Sequence, residues 1–441
     1  LIAAFDSTKE KVFDEFFARM ANPKKSVEVP SNEAPVHTVK ITGKDVDLTK
    51  LPFHPQHEFD GSCYISSGID YSRDPLTGRS NVGSRRLSLR NRYQTGTNVT
   101  APSDLKRIYE GCAQRKERLP ISFTIGSHPL DFFAATTRQQ GEEQDMISTF
   151  RGQSAPLVKC LTNDILVPAD AECVLEGYLD ERGYCEPEGP FGEYVGYYGV
   201  IKRNPVFHVT AITHRKNALF QTVTIGGKSL GRTDTAQLTT IKTETAAWAG
   251  LVASVREPVA VYATPSSGGM YNVRVSLRQR VPGEARNAIA AVFGSMAECK
   301  QVFVFDDDID VFSDEQCDWA LATRFQADRD MMVASGFRVV PLDPSLAGAR
   351  TGAKVGFDCT IPFGRRQSLE WGIPMPPAMG KANGSGKASV ADVLAKGPAS
   401  FFDLMTAAGT RDGREIVRQL DKLYAAGTLT RNEAGKYTLK G

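Results

Sequence analysis

The feature that most restricts the fold of this chain is a long stretch, from residue 37 to about residue 223, in which short strand-like runs alternate with glycine and proline. Two of the clearest runs are Tyr64–Tyr71 and Val206–Thr213, which contain β-branched and aromatic residues. Helical periodicity interrupts the pattern near residues 103–117 and 142–150. The stretch therefore predicts a mixed domain that consists mostly of short β-strands.

A different pattern follows this stretch. Residues 235–254 have helical periodicity, the alternation over 259–275 is typical of a strand, residues 282–296 are helical again, and residues 301–305 form a short apolar run typical of a buried strand. Helices that alternate with strands indicate an α/β domain with its own hydrophobic core. We expect this domain to extend over residues 235–375.

The two ends of the chain contain smaller elements. Residues 7–20 place apolar side chains on one helical face, which predicts an amphipathic helix within an N-terminal segment, residues 1–36. Residues 376–388 (PPAMGKANGSGKA) have the composition of a flexible linker. We therefore expect the residues after this linker, 389–441, to form a separate module.

The C-terminal module carries clear helix signals. Ser389 is a predicted N-cap, and Ser400 with Asp403 forms an S-x-x-D capping signal. Residues 416–424 present an apolar face at helical spacing, and residues 428–439 are predicted to form a β-hairpin. Three helices followed by a hairpin resemble a winged helix.

Composition narrows the classes of protein that remain. The 441 residues are 41% hydrophobic, which is enough for a large core and for two or three domains. The formal net charge of +2 does not favour nucleic acid or a membrane surface as the main partner. No run approaches the roughly 20 apolar residues of a membrane span. The eight cysteines form no CxxC pair, which favours reduced thiols in a cytoplasmic protein.

The hexapeptide EGPFGE places two carboxylates, Glu188 and Glu193, at the ends of a turn that glycine and proline stiffen. Both acids could face one cavity. Two carboxylates in one site repel each other when both are ionised, so one of them keeps a proton and can act as a general acid near neutral pH. A nearby arginine would keep the other acid ionised. Alone, the hexapeptide would favour a solvated turn that carries two surface acids.

A second motif changes this interpretation. Residues 81–86, NVGSRR, precede EGPFGE, and the two motifs together resemble the signature of the UbiD family of decarboxylases. Further blocks occur in the family's order between residues 39 and 358, namely ITGKDVDLTKLP (41–52), VKCLTNDILVPADAECVLEG (158–177), EGPFGEYVGYYG (188–199), DDIDVF (307–312) and WALATR (319–324). An ordered set of separated blocks is more specific than any single block.

The resemblance implies a mixed α/β (α+β) architecture. Residues 37–234 would form a split β-barrel-like domain that binds prenylated FMN, and residues 235–375 an α/β oligomerisation domain. This implies a homodimer or a higher homo-oligomer, and a flavin prenyltransferase as the supplier of the cofactor. For the winged-helix-like module at residues 389–441, we expect a subunit-contact or lid role.

The resemblance also implies a divalent metal, usually manganese, with magnesium as the alternative, beside a potassium ion. Asn81 and Glu143 would bind the divalent metal through oxygen atoms, which hard cations prefer. The third family ligand, often His, falls here on Asp104, a departure from the family's pattern. Potassium would be bound by Ala134, Ala135 and Thr137. The cofactor would be bound by Asn81, Val82, Arg86, Thr136, Glu143 and Lys354.

Carried onto this sequence, the catalytic residues of the family are Arg86, Glu188 and Glu193. The implied reaction is a reversible, non-oxidative decarboxylation through a covalent adduct between the substrate and prenylated FMN. Glu193 would donate the proton, and Arg86 with Glu188 would form a charge pair that positions the substrate carboxylate. Decarboxylation needs an electron sink that side chains do not provide, so a cofactor must supply it.

Four residues suggest the class of substrate. Asn98, Thr100 and Thr240 fall where family members that act on acrylic-acid-type substrates have apolar side chains, and Tyr194 follows the predicted acid. A polar lining suits a ring with hydroxyl or N–H groups. We therefore predict an aromatic or heteroaromatic carboxylic acid and a role in aromatic acid metabolism, with an α,β-unsaturated acid as the alternative.

Two other functions fit parts of the sequence. One is a flavoprotein of the same fold that does not decarboxylate, because fold alone does not fix function; the intact Arg86, Glu188 and Glu193 argue against it. The other is a regulator that binds nucleic acid through the C-terminal module. The basic residues of its last helix are offset by acidic ones, so we do not expect nucleic acid binding.

Overall fold

A computed structural model describes residues 3–8, 11–137, 141–296, 298–376 and 388–440. The chain forms two compact units, residues 1–364 and residues 365–441. The predicted linker, apart from Pro376 and Ala388, lies outside the described residues.

The first half of the first unit is rich in short strands, as predicted. Its helices and strands, in chain order, are α1 (Val12–Ala21), β1 (Val27–Glu28), β2 (Val39–Thr42), β3 (Tyr64–Arg73), β4 (Ser80–Asn91), β5 (Gln94–Thr97), α2 (Asp104–Gln114), β6 (Leu119–Ile125), α3 (Pro129–Thr136), α4 (Glu143–Arg151), β7 (Pro156–Lys159), β8 (Leu166–Pro168), β9 (Cys173–Leu179), β10 (Glu186–Glu188), β11 (Phe191–Gly192), β12 (Tyr198–Gly199), β13 (Lys202–Asn204) and β14 (Val206–His214).

Six of these strands close into a barrel in the order β14, β5, β4, β3, β6, β9 and back to β14. Neighbouring strands are antiparallel throughout. In β6, Leu119, Ile121, Phe123 and Ile125 occupy every second position and join one buried cluster with apolar residues of α2. This alternation explains why the segment forms a strand with one face in the core. The closed barrel confirms the predicted barrel-based α/β fold.

A second layer covers the other face of β3 and β4. Tyr71 and Val82 from these strands pack in one cluster with Phe16 of α1, Phe133 of α3 and Phe150 of α4. Glu143 is the first residue of α4 and Thr136 is the last residue of α3. The aromatic layer therefore fixes the helix ends that carry several of the predicted cofactor residues.

The second half of the first unit is an α/β sandwich. Its elements are α5 (Asp234–Ser254), β15 (Pro258–Ala263), β16 (Asn272–Leu277), α6 (Glu284–Ser295), β17 (Gln301–Asp306), α7 (Asp314–Arg324), α8 (Ala327–Asp330), β18 (Met331–Arg338) and β19 (Thr351–Asp358). The sheet order is β15, β16, β17, β19, β18, with parallel pairing among the three central strands. Residues of α5 and α6 pack against this sheet in one buried cluster.

The sequence pattern over 259–275 predicted a single strand, and this detail was wrong. The region forms two antiparallel strands, β15 and β16. Gly268 and Gly269 between them have φ angles of 76° and 69°, in the left-handed region that glycine adopts without strain. The two strands are separated by residues 264–271, a break that the apolar alternation alone does not reveal.

The described residues of the second unit form three α-helices and a hairpin. Its elements are α9 (Val390–Leu394), α10 (Phe401–Ala408), α11 (Gly413–Ala425), β20 (Leu429–Arg431) and β21 (Tyr437–Leu439). Ser389 and Ser400 both form capping boxes, which confirms the predicted helix starts. Leu404, Ile416 and Leu420 belong to its buried cluster. None of the helices in the described parts of the chain has the length and apolarity needed to cross a membrane.

We predict that limited proteolysis will cut the chain first within residues 376–388. This Gly/Ser/Lys-rich sequence precedes a module that has its own helix caps and core. We therefore expect the backbone of residues 376–388 to be the segment most accessible to a protease. Mass spectrometry of the early fragments would locate the cut. Resistance in this region equal to that of the barrel would contradict an independent module.

Candidate active site

Arg86 of β4 reaches both acids of the EGPFGE turn. Its Nε and Nη2 donate hydrogen bonds to the two carboxylate oxygens of Glu188 at 2.8 and 2.9 Å, and its Nη1 donates to Oε1 of Glu193 at 2.6 Å. The side chains of Arg86, Glu188 and Glu193 are 10%, 0% and 6% exposed. The planar guanidinium thus makes a bidentate pair with one acid and a single contact with the other.

The ion pairs decide the charge state of the arginine. Burial alone would lower the pKa of Arg86, but the hydrogen bonds and charges of Glu188 and Glu193 outweigh burial and raise it. Arg86 therefore stays cationic, and one positive charge faces two acids.

Two short antiparallel strand pairs hold the turn. β10 pairs with β13, so that Glu188 faces Lys202, and β11 pairs with β12. The backbone N–H of Glu193 donates to the carbonyl of Tyr197 at 2.9 Å, and its carbonyl accepts from the N–H of Gly196 at 2.9 Å. Hydrogen bonds to adjacent segments of the same chain therefore fix the backbone of each acid, independently of the side-chain contacts with Arg86.

Asn204 also belongs to this site, and the sequence analysis missed it. Its Nδ2 donates to Oε2 of Glu188 at 3.1 Å, and its Oδ1 accepts from the N–H of Val99 at 3.2 Å. The side chain is completely buried. Its only sequence signal is a polar residue before a strand, which many surface positions share.

An aromatic surface closes one side of the network. The guanidinium of Arg86 lies over the ring of Phe191 at 4.4 Å, and this ring is 4.6 Å from the ring of Tyr64. Both rings are buried. They reduce the access of water to the ion pairs, which strengthens the electrostatic interactions between them.

The start of α4 docks against the start of β4. Oε2 of Glu143 accepts from the N–H of Val82 at 2.6 Å, and Oε2 of Glu142 accepts from the N–H and the hydroxyl of Ser80 at 3.1 and 2.7 Å. Asn81 lies between these two contacts and is buried. The structure thus brings Asn81, Val82 and Glu143 together, at one end of the strand that carries Arg86.

Asp104 does not join this group in the manner expected of a ligand. It is the first residue of α2, its side chain is 67% exposed, and it lies 3.7 Å from Arg107. The exposure of this carboxylate argues against its predicted role as the third metal ligand. In the described ranges, no group of three or more His, Cys, Asp or Glu residues is arranged to hold a metal.

The predicted contact of Lys354 with the cofactor phosphate needs correction. Lys354 lies in β19 and is 1% exposed. Its Nζ donates to the carbonyls of Phe293 and Met296 at 3.2 and 2.8 Å, at the end of α6. Burial lowers the pKa of this lysine. The Lys354 ammonium therefore binds backbone carbonyl groups at the C-terminal end of α6, inside the α/β sandwich. These surroundings do not admit a phosphate.

The predicted potassium and cofactor residues at 134–137 lie at the end of α3. The N–H of Thr137 donates to the carbonyl of Ala134 at 3.1 Å, and the hydroxyls of Thr136 and Thr137 donate to the carbonyl of Phe133. Ala135 is half-buried in the same turn. Residues 138–140, which connect this turn to the start of α4, lie outside the described residues.

Three of the predicted substrate-pocket residues, Asn98, Thr100 and Thr240, form hydrogen bonds with nearby residues of the same chain. Oδ1 of Asn98 accepts from the N–H and the hydroxyl of Thr100 at 3.1 and 2.7 Å. The hydroxyl of Thr240 donates to the carbonyls of Ala236 and Ala263. Burial, and then the charges of nearby acids, raise the pKa of Tyr194, which therefore stays protonated.

Two family models cover most of this chain. The 3-octaprenyl-4-hydroxybenzoate carboxy-lyase Rift-related domain of UbiD matches residues 27–229, and the corresponding C-terminal domain matches residues 238–359. The first match spans the barrel and the network of Arg86 with its two acids. The second spans the α/β sandwich.

Individual proteins agree with the family models. Anhydromevalonate phosphate decarboxylase of Methanosarcina mazei is 30% identical over 339 residues, which are 76% of this chain and 77% of that protein. The UbiD-class enzyme HmfF from Pelotomaculum thermopropionicum, solved in complex with FMN, is 34% identical with a TM-score of 0.79, covering 85% of this chain and 83% of HmfF. An evolved dimeric form of HmfF in complex with prFMN is 31% identical with a TM-score of 0.75, covering 89% and 85%. This chain therefore belongs to the UbiD family of carboxy-lyases.

Proposed function

We propose that this protein is a prenylated-FMN-dependent decarboxylase of a small aromatic or heteroaromatic carboxylic acid, with an α,β-unsaturated acid as the alternative. The observation that carries the proposal is the buried network of Arg86, Glu188 and Glu193. In this network one fixed guanidinium donates hydrogen bonds to both acids. A surface turn with two solvated acids would show none of this burial. The HmfF complexes with FMN and prFMN support the choice of cofactor.

The residues of β4 suit a flavin mononucleotide. Asn81 and Arg86 are five residues apart on this strand, which corresponds to about 17 Å. The end near Asn81 offers amide and carboxylate oxygens for a metal and phosphate, and the end near Arg86 offers the acid network. In this proposal the residues near Asn81 would hold the phosphate of bound FMN through the metal, and the acid network would act on the substrate. Prenylated FMN, when bound, supplies the electron sink that decarboxylation requires.

The hydrogen bonds divide the roles of the two acids. Glu188 accepts two hydrogen bonds from Arg86 and one from Asn204, so its carboxylate is held firmly as the ion-pair partner of Arg86. Glu193 accepts one, from Arg86. Glu193, the less constrained acid, is therefore the one that we assign to donate a proton to the carbon that has lost its carboxyl group. Arg86 holds the substrate carboxylate beside the acids, and the ring of Phe191 helps to exclude water.

We include in the proposal a divalent metal, manganese or magnesium, bound through Asn81 and Glu143, and a potassium ion near the end of α3. Oxygen donors from an amide and a carboxylate are the ligands that such cations prefer. We also propose a homodimer or larger homo-oligomer, a flavin prenyltransferase as supplier of the cofactor, and a cytoplasmic location, to which the unpaired cysteines conform.

Replacing Glu143 with Ala should remove metal and cofactor together and leave a folded protein. The substitution deletes the carboxylate next to Asn81 but no apolar contact of the core. Asp104→Ala is the matched control, because its exposed side chain should not contribute to binding. Metal analysis and flavin absorbance of the purified proteins would measure both effects. Full occupancy in Glu143→Ala, or loss of metal in Asp104→Ala, would contradict this assignment.

The cofactor itself tests the proposed function. The protein is co-expressed with a flavin prenyltransferase, and the extracted cofactor is examined by absorption and mass spectrometry. We expect a flavin heavier than FMN by one prenyl-derived group. Protein that binds unmodified FMN only, or no flavin, in the presence of an active prenyltransferase would contradict the proposal.

A further inference from the structure

A loop before β3, residues 56–61, is attached to the turn that carries Glu193. The side chain of Asp60 in this loop is fully buried. Its Oδ2 accepts from the backbone N–H groups of Gln56 and His57 at 2.9 Å each, and its Oδ1 accepts from the N–H of Gly192 at 3.0 Å. One carboxylate thus joins the backbone of its own loop to the residue that precedes Glu193.

The two segments also pack too closely for side chains at two positions. Gly61 donates its N–H to the carbonyl of Pro190 at 2.8 Å, and a Cβ atom on Gly61 would lie 2.2 Å from the carbonyl oxygen of Gly189. A Cβ atom on Gly192 would lie 2.3 Å from the ring of His57. The loop therefore forms one surface of the turn.

The loop also reaches the second strand of this small hairpin. Tyr198 in β12 pairs with Gly192 in β11, and the hydroxyl of Tyr198 accepts from the N–H of Phe59 at 2.9 Å. Both strands on either side of Glu193 are therefore tied to residues 56–61. A shift of the loop would move the backbone of Glu193 with it.

The side chain of Glu193 depends on this backbone placement more than the side chain of Glu188 does. Among the described residues, the Glu193 carboxylate has one hydrogen-bond partner, Arg86, whereas Glu188 is held by Arg86 twice and by Asn204. A group with a single side-chain contact keeps its position only if its backbone is fixed. The backbone at Gly192 is fixed by Asp60.

We propose that Asp60 is a positioning residue for proton transfer by Glu193, an inference that rests on the proposed decarboxylation. A carboxylate suits this place because three N–H donors converge on its two oxygens. In Asp60→Asn, the amide group would replace one oxygen, so its NH₂ would face either Gly192 or the loop N–H groups and one side of the link would be lost.

Kinetics of Asp60→Asn test the proposal, with Glu58→Gln as the control. Glu58 is an exposed acid of the same loop, so the control removes a similar charge without touching the turn. We expect kcat of Asp60→Asn to fall about 10²-fold, as for a small misplacement of a reacting group, with KM within a few-fold of wild type and unchanged cofactor content. Glu58→Gln should behave like wild type.

Backbone amide exchange gives a readout that needs no substrate. We expect the peptide that contains Gly192 to take up deuterium faster in Asp60→Asn than in wild type and in Glu58→Gln. If wild type decarboxylates none of the acids tested while this difference is present, the proposed function fails and the link between Asp60 and the turn stands. Unchanged kcat, unchanged amide exchange, or an Asp60→Asn protein that fails to fold or to bind cofactor would each overturn the positioning role.

Discussion

Glu193→Gln is expected to bind cofactor normally and to lose about 10²- to 10⁴-fold of the decarboxylation rate, the contribution typical of a general acid. Glutamine keeps the size of the side chain, and its amide oxygen can still accept the hydrogen bond from Arg86. It carries no carboxyl proton to donate. The defect should therefore lie in the proton-transfer step and not in the assembly of the site.

Hydrogen exchange separates this step from substrate binding. Wild-type enzyme should exchange the C–H hydrogen of the product with deuterated water, because the reverse of protonation uses the same acid, and Glu193→Gln should not. Glu186→Gln is a suitable control, since Glu186 is a more exposed acid of the same turn region that pairs with Arg90. Exchange by Glu193→Gln at a rate near wild type would make Glu188 the leading candidate for the acid.

Arg86→Ala is expected to abolish activity and to lower the free energy of unfolding by about 3–5 kcal/mol, the range for a buried ion pair that loses one partner. Removal of the guanidinium leaves two acids in a site where both are nearly inaccessible to solvent. It also removes the cation that we assign to the substrate carboxylate. Arg86→Lys should restore part of the stability but little activity, because an ammonium cannot reproduce three contacts from one planar group.

Urea unfolding and steady-state kinetics would measure the two effects. Arg90→Ala is the matched control, because Arg90 lies on the same strand and contacts Glu186, which is 39% exposed, so its loss should cost less stability than the loss of Arg86. Equal destabilisation by Arg86→Ala and Arg90→Ala would mean that the network is not a buried ion pair in solution. Near wild-type activity of Arg86→Lys would contradict the role of the planar guanidinium.

Much of the fold could be predicted because its signals are local. The strand-like run of β3, the S-x-x-D cap at Ser400 and the helical pattern of α5 each depend on neighbours in the sequence. Closure of the barrel could not be derived from such patterns. Closure depends on the pairing of β9 with β14, two strands that are far apart in the sequence. The register between them follows from the arrangement of the whole barrel.

The candidate site likewise contains residues that the sequence could predict and residues that it could not. The ordered motifs identified Arg86 and the two acids, and the structure brings these three side chains into contact. Lys354 was misjudged because a lone lysine gives no sequence sign that its ammonium will cap a buried helix end. The exposure of Asp104 argues against it as a metal ligand, and a motif position does not reveal solvent exposure.

Two further residues were missed for a different reason. Asn204 and Asp60 act through backbone groups and through other side chains, and neither stands in a recognisable motif. Their neighbours in space, Glu188 and Gly192, are more than ten residues away from them in sequence. Only the folded arrangement shows that each holds one end of the turn that carries the acids.

Release of carbon dioxide tests the central claim most directly. Protein co-expressed with a flavin prenyltransferase, and the same protein expressed without it, are incubated with a panel of hydroxybenzoates, pyrrole and indole carboxylates and α,β-unsaturated acids. We predict carbon dioxide and the matching decarboxylated product from at least one acid, only with the prenyltransferase, and not from Glu193→Gln. No release from any of these acids by protein that carries the prenylated cofactor, or equal release with and without the prenyltransferase, would contradict the proposed function.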